Sequence, residues 1–199
     1  MQNKPGLLGV CKIELIYSCE GEFYMQEPEV SLRIAMKYIE SGETLENITI
    51  SIDGAHIKTK DTIHFDIIKF LGDNGFVKFD NDISRWQGEY VHNSFANRII
   101  ISSKPGVGDV VINLTNGKTL YIESKKFKNV GNGEYSAMRE AIGQLMTGCP
   151  NEDNIIPVVA VPYSTKSMEL AQRWSQNTRM AKAGICFMLV HDCGKIDFI

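Results

Sequence analysis

The sequence contains no Cys-x-x-Cys pair, no apolar run of membrane length, no internal repeat and no low-complexity tract. Each absence removes a class of protein. Cys11, Cys19, Cys149, Cys186 and Cys193 are odd in number and widely spaced, which indicates neither a disulfide framework nor a zinc knuckle. No stretch approaches the ~18 apolar residues of a transmembrane helix. The apolar stretch before Lys12 and Glu14 is too short for a convincing signal peptide. A reducing cytoplasm is therefore the expected location, with no membrane partner. Strong charge of one sign is also missing: a net −3 argues against a non-specific coat on nucleic acid.

The charge that is present is uneven. Residues 1–83 carry 8 Lys and Arg against 14 Asp and Glu, whereas residues 84–199 carry 13 against 10. A polyanion is expected to dock on the second part. A chain of 199 residues is long enough for one good core with a small second lobe.

Strands are expected at Val10 to Ser18, Glu22 to Gln26 and Ile48 to Ile52. Pro28 suits the first turn of a helix that carries Val30, Ile34, Ala35, Tyr38 and Ile39 at helical spacing and stops at Gly42. A second helix is expected over Ile63 to Leu71. Residues 1–80 thus read as a small mixed α/β lobe, a site for a partner, a dimer or substrate recognition. Asp82 or Ser84 can cap a helix reaching about Ala96, with Trp86, Tyr90, Val91 and Phe95 as its apolar stripe and Glu89 within it.

From there the pattern predicts a strand at Arg98 to Ser102 and then two strands joined at Asn116-Gly117. A helix capped by Ser136 follows, then buried strands at Ile155 to Val161 and Ile185 to Val190 with a helix from Ser167 to Asn177 between them. A short strand at Ile196 to Ile199 closes the chain. The fold class is α/β (α+β), a mixed central sheet flanked by helices.

The stretch Gly106 to Lys126 carries the chemistry. Asp109 opens its first strand, and Glu123-Ser124-Lys125 ends its second. Asn-Gly permits a two-residue or a three-residue loop. Only the three-residue loop, with Gly117 left-handed, puts Val110, Ile112 and Leu114 on the same side as Leu120 and Ile122. That register also sets Asp109 directly opposite Glu123, roughly 4.5–5.5 Å apart at the β-carbons. Two carboxylates so close repel unless a cation lies between them. Mg²⁺ is the natural choice, since it accepts one or two carboxylates plus water; Mn²⁺ is a possible substitute.

Gly-Asp-Val-Val-Ile, a hairpin, Glu-Ser-Lys and a following helix with Gln144 together resemble the PD-(D/E)XK nuclease superfamily, the restriction-endonuclease-like fold. The resemblance covers roughly Ser84 to Val190, with Gly108 where the family often has proline. It implies a nuclease-like catalytic core over residues 81–199. It implies Asp109 and Glu123 as metal ligands with the Ser124 carbonyl nearby, and Lys125 as the residue that positions or activates the attacking water. An acid from the first core helix often completes such a site; Glu89 matches that place, with Glu29 as its rival. Gln144 matches a frequent polar residue of the following helix.

The activity implied is Mg²⁺-dependent endonucleolytic hydrolysis of DNA, by a small restriction-type enzyme or a related defence, phage or repair nuclease. Lys104, Lys118, Lys126, Lys128 and Arg139 are the candidate phosphate contacts. Cutting both strands suggests a homodimer, and the acidic first lobe leaves room for a recognition partner. The alternative is a non-catalytic nuclease-fold module that binds nucleic acid or serves as a subunit. His56, His64, His92 and His191 show no metal-ligand spacing and read as structural or exposed.

Overall fold

The computed structural model describes residues 25–80, 82, 84–104, 108–127 and 133–199. The chain runs α1 (Glu27–Ser41), β1 (Ile48–Ser51), a 3₁₀ turn (Gly54–His56), β2 (Lys58–Thr59), β3 (Thr62–Ile63), α2 (Ile67–Asp73), β4 (Phe76–Lys78), β5 (Gly88–His92) and β6 (Ile99–Ser102). It continues through β7 (Val110–Asn113), β8 (Thr119–Ser124), α3 (Glu134–Gly148), β9 (Ile155–Pro162), α4 (Thr165–Ser175), α5 (Thr178–Lys182), β10 (Cys186–Val190) and β11 (Ile196–Phe198).

Nine strands form one mixed sheet in the order β11-β10-β9-β8-β7-β1-β6-β5-β4, while β2 and β3 pair with each other alone. The three hairpin-and-crossover steps at its centre fix the site. Strand β1 is antiparallel to β7, β7 is antiparallel to β8, and β8 is parallel to β9.

Helices cover both faces. Helix α1 starts at Glu27-Pro28, and Gly42, with φ of 70°, ends it by donating its N–H to the Ile39 carbonyl at 3.2 Å. Val30, Leu32, Ile34 and Ile39 bury against Ile48, Ile50, Val110, Ile112, Leu120 and Ile122. The opposite face packs Met138, Ala141 and Leu145 of α3 and Leu170 of α4 against Tyr121, Val159, Val161, Phe187 and Leu189. Strands β8, β9 and β10 are therefore covered on both sides, which their continuous apolar runs require. Ser164 and Ser167 form a reciprocal capping box that starts α4.

Four expectations need correction. No helix spans 84–96, where one is expected: that segment enters as a turn and then as strand β5, with Tyr90 driven into the core at 1% exposure. Ile63 belongs to β3, so the helix expected there starts only at Ile67, where Asp66 caps it. Helix α3 starts at Glu134, two residues before the expected cap Ser136, which instead donates to the Gly133 carbonyl. The boundary near residue 80 does not divide the sheet, because β1 lies between β7 and β6. The strand expected at Val10 to Ser18 lies outside the described residues, as does that expected at Glu22 to Gln26 but for Met25 and Gln26, which are not in a strand. No helix among the described residues is long and apolar enough to cross a membrane.

Candidate functional site

The hairpin adopts the three-residue loop. Val110 pairs with Ile122, Ile112 with Leu120 and Asn113 with Thr119. The Leu114 N–H donates to the Lys118 carbonyl at 2.8 Å, and Gly117, at φ of 80°, donates its N–H to the Leu114 carbonyl at 3.0 Å. Val110, Ile112, Leu120 and Ile122 all bury on the α1 side. One step beyond the Val110–Ile122 pair, Asp109 and Glu123 face each other on the α3 side, because side chains alternate along a strand.

Backbone bonds hold this corner. The Ser124 N–H donates to Asp109 Oδ2 at 2.8 Å. The Ser51 N–H donates to the Asp109 carbonyl at 2.9 Å, so β1 fixes the acid's main chain. On the other face, Ser31 of α1 donates to the Ser124 hydroxyl at 3.0 Å. Gly108 stands where a proline is common in the resembled family. A β-carbon there would lie 2.8 Å from the Tyr121 ring, so any side chain at this position requires that ring to shift.

Lys125 leaves β8 with its N–H bonded to the Ala160 carbonyl at 2.9 Å. Its side chain is 10% exposed, and its Nζ sits 3.2 Å from Glu27 Oε1. Glu27 stands in the first turn of α1, where the helix dipole favours a carboxylate. The acid that α1 brings to Lys125 is thus Glu27. Glu89 lies on β5 and pairs with Arg98 at 2.7 Å; Glu29 pairs with Arg33 at 2.7 Å. The sequence signal for Glu27 was its place directly before the helix-starting Pro28.

Burial raises the Asp109 pKa to about 6; Lys125 and the Ser124 N–H pull it down, and Glu27 pushes it up. Burial also raises Glu123, to about 7, helped by the Asp109 charge and opposed by Lys125. The two carboxyls lie within hydrogen-bonding reach of each other. Burial works against the Lys125 ammonium, but Glu27, Asp109 and Glu123 outweigh it and raise its pKa. An oxygen-only pair that otherwise holds on to a proton is a donor set suited to a hard cation. Among the described residues no group of three or more His, Cys, Asp or Glu side chains converges on one point. A cation held here would take Asp109 and Glu123 as its side-chain ligands, with water in the remaining positions, which is within the habit of Mg²⁺.

A cleft of about 580 Å³ opens on the acid pair, and Asp109, Glu123, Tyr121, Gln144, Lys104 and Ser51 are among its walls. Gln144 and Lys104 are thus brought to the acids. The Ser51 hydroxyl, which the sequence did not single out, is buried there with no hydrogen-bond partner among the described residues. Lys126 lies on the other side, its Nζ 2.8 Å from Gln26 Oε1. Lys118 sits at the far end of the hairpin and donates to the Asp153 carbonyl at 3.3 Å, away from the acids. Arg139 is exposed over the Tyr135 ring at 5.4 Å and lines neither side of the site. Lys128 lies outside the described residues. The chain matches no protein-family model, and no curated protein or solved structure is significantly similar to it.

Proposed function

We propose that the chain is a Mg²⁺-dependent endodeoxyribonuclease of the PD-(D/E)XK kind, a small restriction-type or related defence, phage or repair enzyme. The observation that carries this reading is the convergence of Asp109, Glu123 and Lys125 in one register, with Glu27 of α1 on the lysine. The succession α1, β1, β7, β8, α3, β9 supports it: a helix, three antiparallel strands, a helix and a parallel strand, with β2 to β6 inserted after β1.

Asp109 and Glu123 would hold the metal, beside the Ser124 carbonyl. When bound, the ion polarises the phosphate and lowers the pKa of its water. The chain's own residues do the rest. Glu27 and the acid pair keep Lys125 charged, and the short Glu27 contact fixes where its ammonium stands. Lys125 donates to the attacking water or to a phosphate oxygen, and its charge offsets what develops on the phosphorane-like transition state. Gln144 and Lys104 face the same cleft and can donate to flanking phosphates. Cutting both strands takes two such sites, hence two copies of the chain related by a two-fold axis.

The test is a cleavage screen on plasmid, linear, branched and single-stranded DNA with and without Mg²⁺. Wild type cuts at least one of them, and chelation stops it. Lys125→Ala loses roughly 10²–10³-fold while its circular dichroism at the assay temperature stays that of wild type. Cleavage by Lys125→Ala at the wild-type rate would remove the site assignment. A wild type inert on every DNA would favour the binding-module alternative.

A further inference from the structure

A second cavity, of about 410 Å³, lies on the other side of Lys125 from the acid cleft. Its charged and titratable lining is Glu27, His56, His64, Lys125, Lys126 and Glu140. The size falls within the ~300–1,000 Å³ typical of small-ligand sites.

The two histidines are set there by a local frame. Asp53 accepts the Ala55 N–H at 2.9 Å and so caps the 3₁₀ turn that carries His56. Ile57, 5% exposed, anchors the turn in the core. The His64 N–H returns to the Ile57 carbonyl at 2.8 Å, which closes the base of the β2–β3 hairpin. His64 Nε2 lies 3.0 Å from Thr59 Oγ1. His56 Nδ1 lies 3.7 Å from Glu27 Oε1, the same oxygen that pairs with Lys125. The cavity is therefore continuous with the proposed catalytic corner.

We infer that this cavity seats the phosphate next to the scissile one, on a wall made by His56, His64 and Lys126. The inference rests on the nuclease reading and adds a flanking phosphate contact to it. A strand whose scissile phosphate meets Asp109, Glu123 and Lys125 continues on both sides of that point. On one side it enters the cleft of Lys104 and Gln144; on the other it meets this cavity. Glu27 is offset by Lys125, so its charge does not repel a neighbouring phosphate strongly. Glu140 stands on the α3 wall, and its carboxylate keeps the anion on the histidine–lysine side, where ring N–H and ammonium groups donate to phosphate oxygens. These donors come from the first 80 residues as well as from the hairpin, although that part is acidic overall.

The test uses DNA with a single neutral methylphosphonate at the phosphate on either side of the cut, cleaved under single-turnover conditions with Mg²⁺. In wild type, neutralising the phosphate on one of the two sides slows cleavage roughly tenfold. The His56→Ala/His64→Ala variant cuts unmodified DNA several-fold more slowly and, with only Lys126 left on the wall, shows a smaller further loss with that methylphosphonate. His64→Gln, which keeps a hydrogen-bonding group beside Thr59, serves where the double variant fails to fold, and it shows a reduced penalty. If the variants keep the full wild-type penalty, or if neither methylphosphonate slows wild type, the cavity does not hold that phosphate and the nuclease reading stands. A wild type that cuts no DNA overturns both.

Discussion

Asp109 and Glu123 bind protons more tightly in the folded chain than in the unfolded one, since burial lifts them to about 6 and about 7 from 3.8 and 4.5. Between about pH 4 and pH 7 the folded state then carries the extra protons, so these groups cost stability as pH rises through that window. In chelated protein, the melting temperature of Asp109→Asn exceeds that of wild type by a few degrees at pH 8. The difference shrinks towards pH 4. Comparing the two chains cancels the contribution of Asp197, whose pKa is lowered and whose sign is opposite. Mg²⁺ raises the wild-type melting temperature at pH 8 but that of the variant little. Calorimetry showing no pH-dependent difference between them would mean that the pair does not couple as described. Glu27 gives a second residue-level prediction. Glu27→Gln lowers turnover about 10–100-fold, as for groups that orient a reacting residue, whereas Glu89→Gln and Glu29→Gln stay within about twofold of wild type. Equal losses for Glu89→Gln would restore the strand acid to the site.

The hairpin was legible in the sequence because two demands coincide in it. Asn116-Gly117 reverses the chain there but permits two loops; burying Val110, Ile112, Leu120 and Ile122 on one side selects the three-residue one, and the acids follow from the period of two. The left-handed Gly117 has open space around a would-be β-carbon, so Gly117→Ala costs backbone strain alone, about 1–2 kcal/mol in urea unfolding. A far larger loss would show that the turn is packed rather than merely bent. The segment 82–96 was not legible for the opposite reason. Trp86, Tyr90, Val91 and Phe95 fall at helical spacing, yet the β-prone Glu-Tyr-Val-His run pairs with β6 and β4, and tertiary pairing overrides the local period. Helix α1 was read correctly from Pro28 to Gly42. Its acid was missed because the helix was assigned to a separate lobe, and spacing along the chain does not reveal which helix end abuts β8.

The acidic first part and the basic second part suggested a division that the backbone does not respect. Ile48 donates to the Arg98 carbonyl, Ser51 to that of Asp109 and Ile52 to that of Ser102, each at 2.9 Å, so β1 is hydrogen-bonded into the centre of the sheet. A fragment of residues 81–199 would leave the facing edges of β6 and β7 unpaired and strip α1 from the sheet. Val30, Leu32, Ile34 and Ile39 are each 4% exposed or less. Burying four such side chains contributes roughly 6–12 kcal/mol, comparable with the whole net stability of an ordinary domain, about 5–15 kcal/mol. The fragment would also lack Glu27, His56 and His64. We therefore expect the full chain to melt in one cooperative transition, and the 81–199 fragment to show no cooperative melt and to aggregate through its open strands. Circular dichroism and size-exclusion chromatography of both proteins decide the matter. A fragment that elutes as a compact monomer and unfolds cooperatively would mean that residues 81–199 are an autonomous domain and that β1 is an accessory to it rather than its central strand.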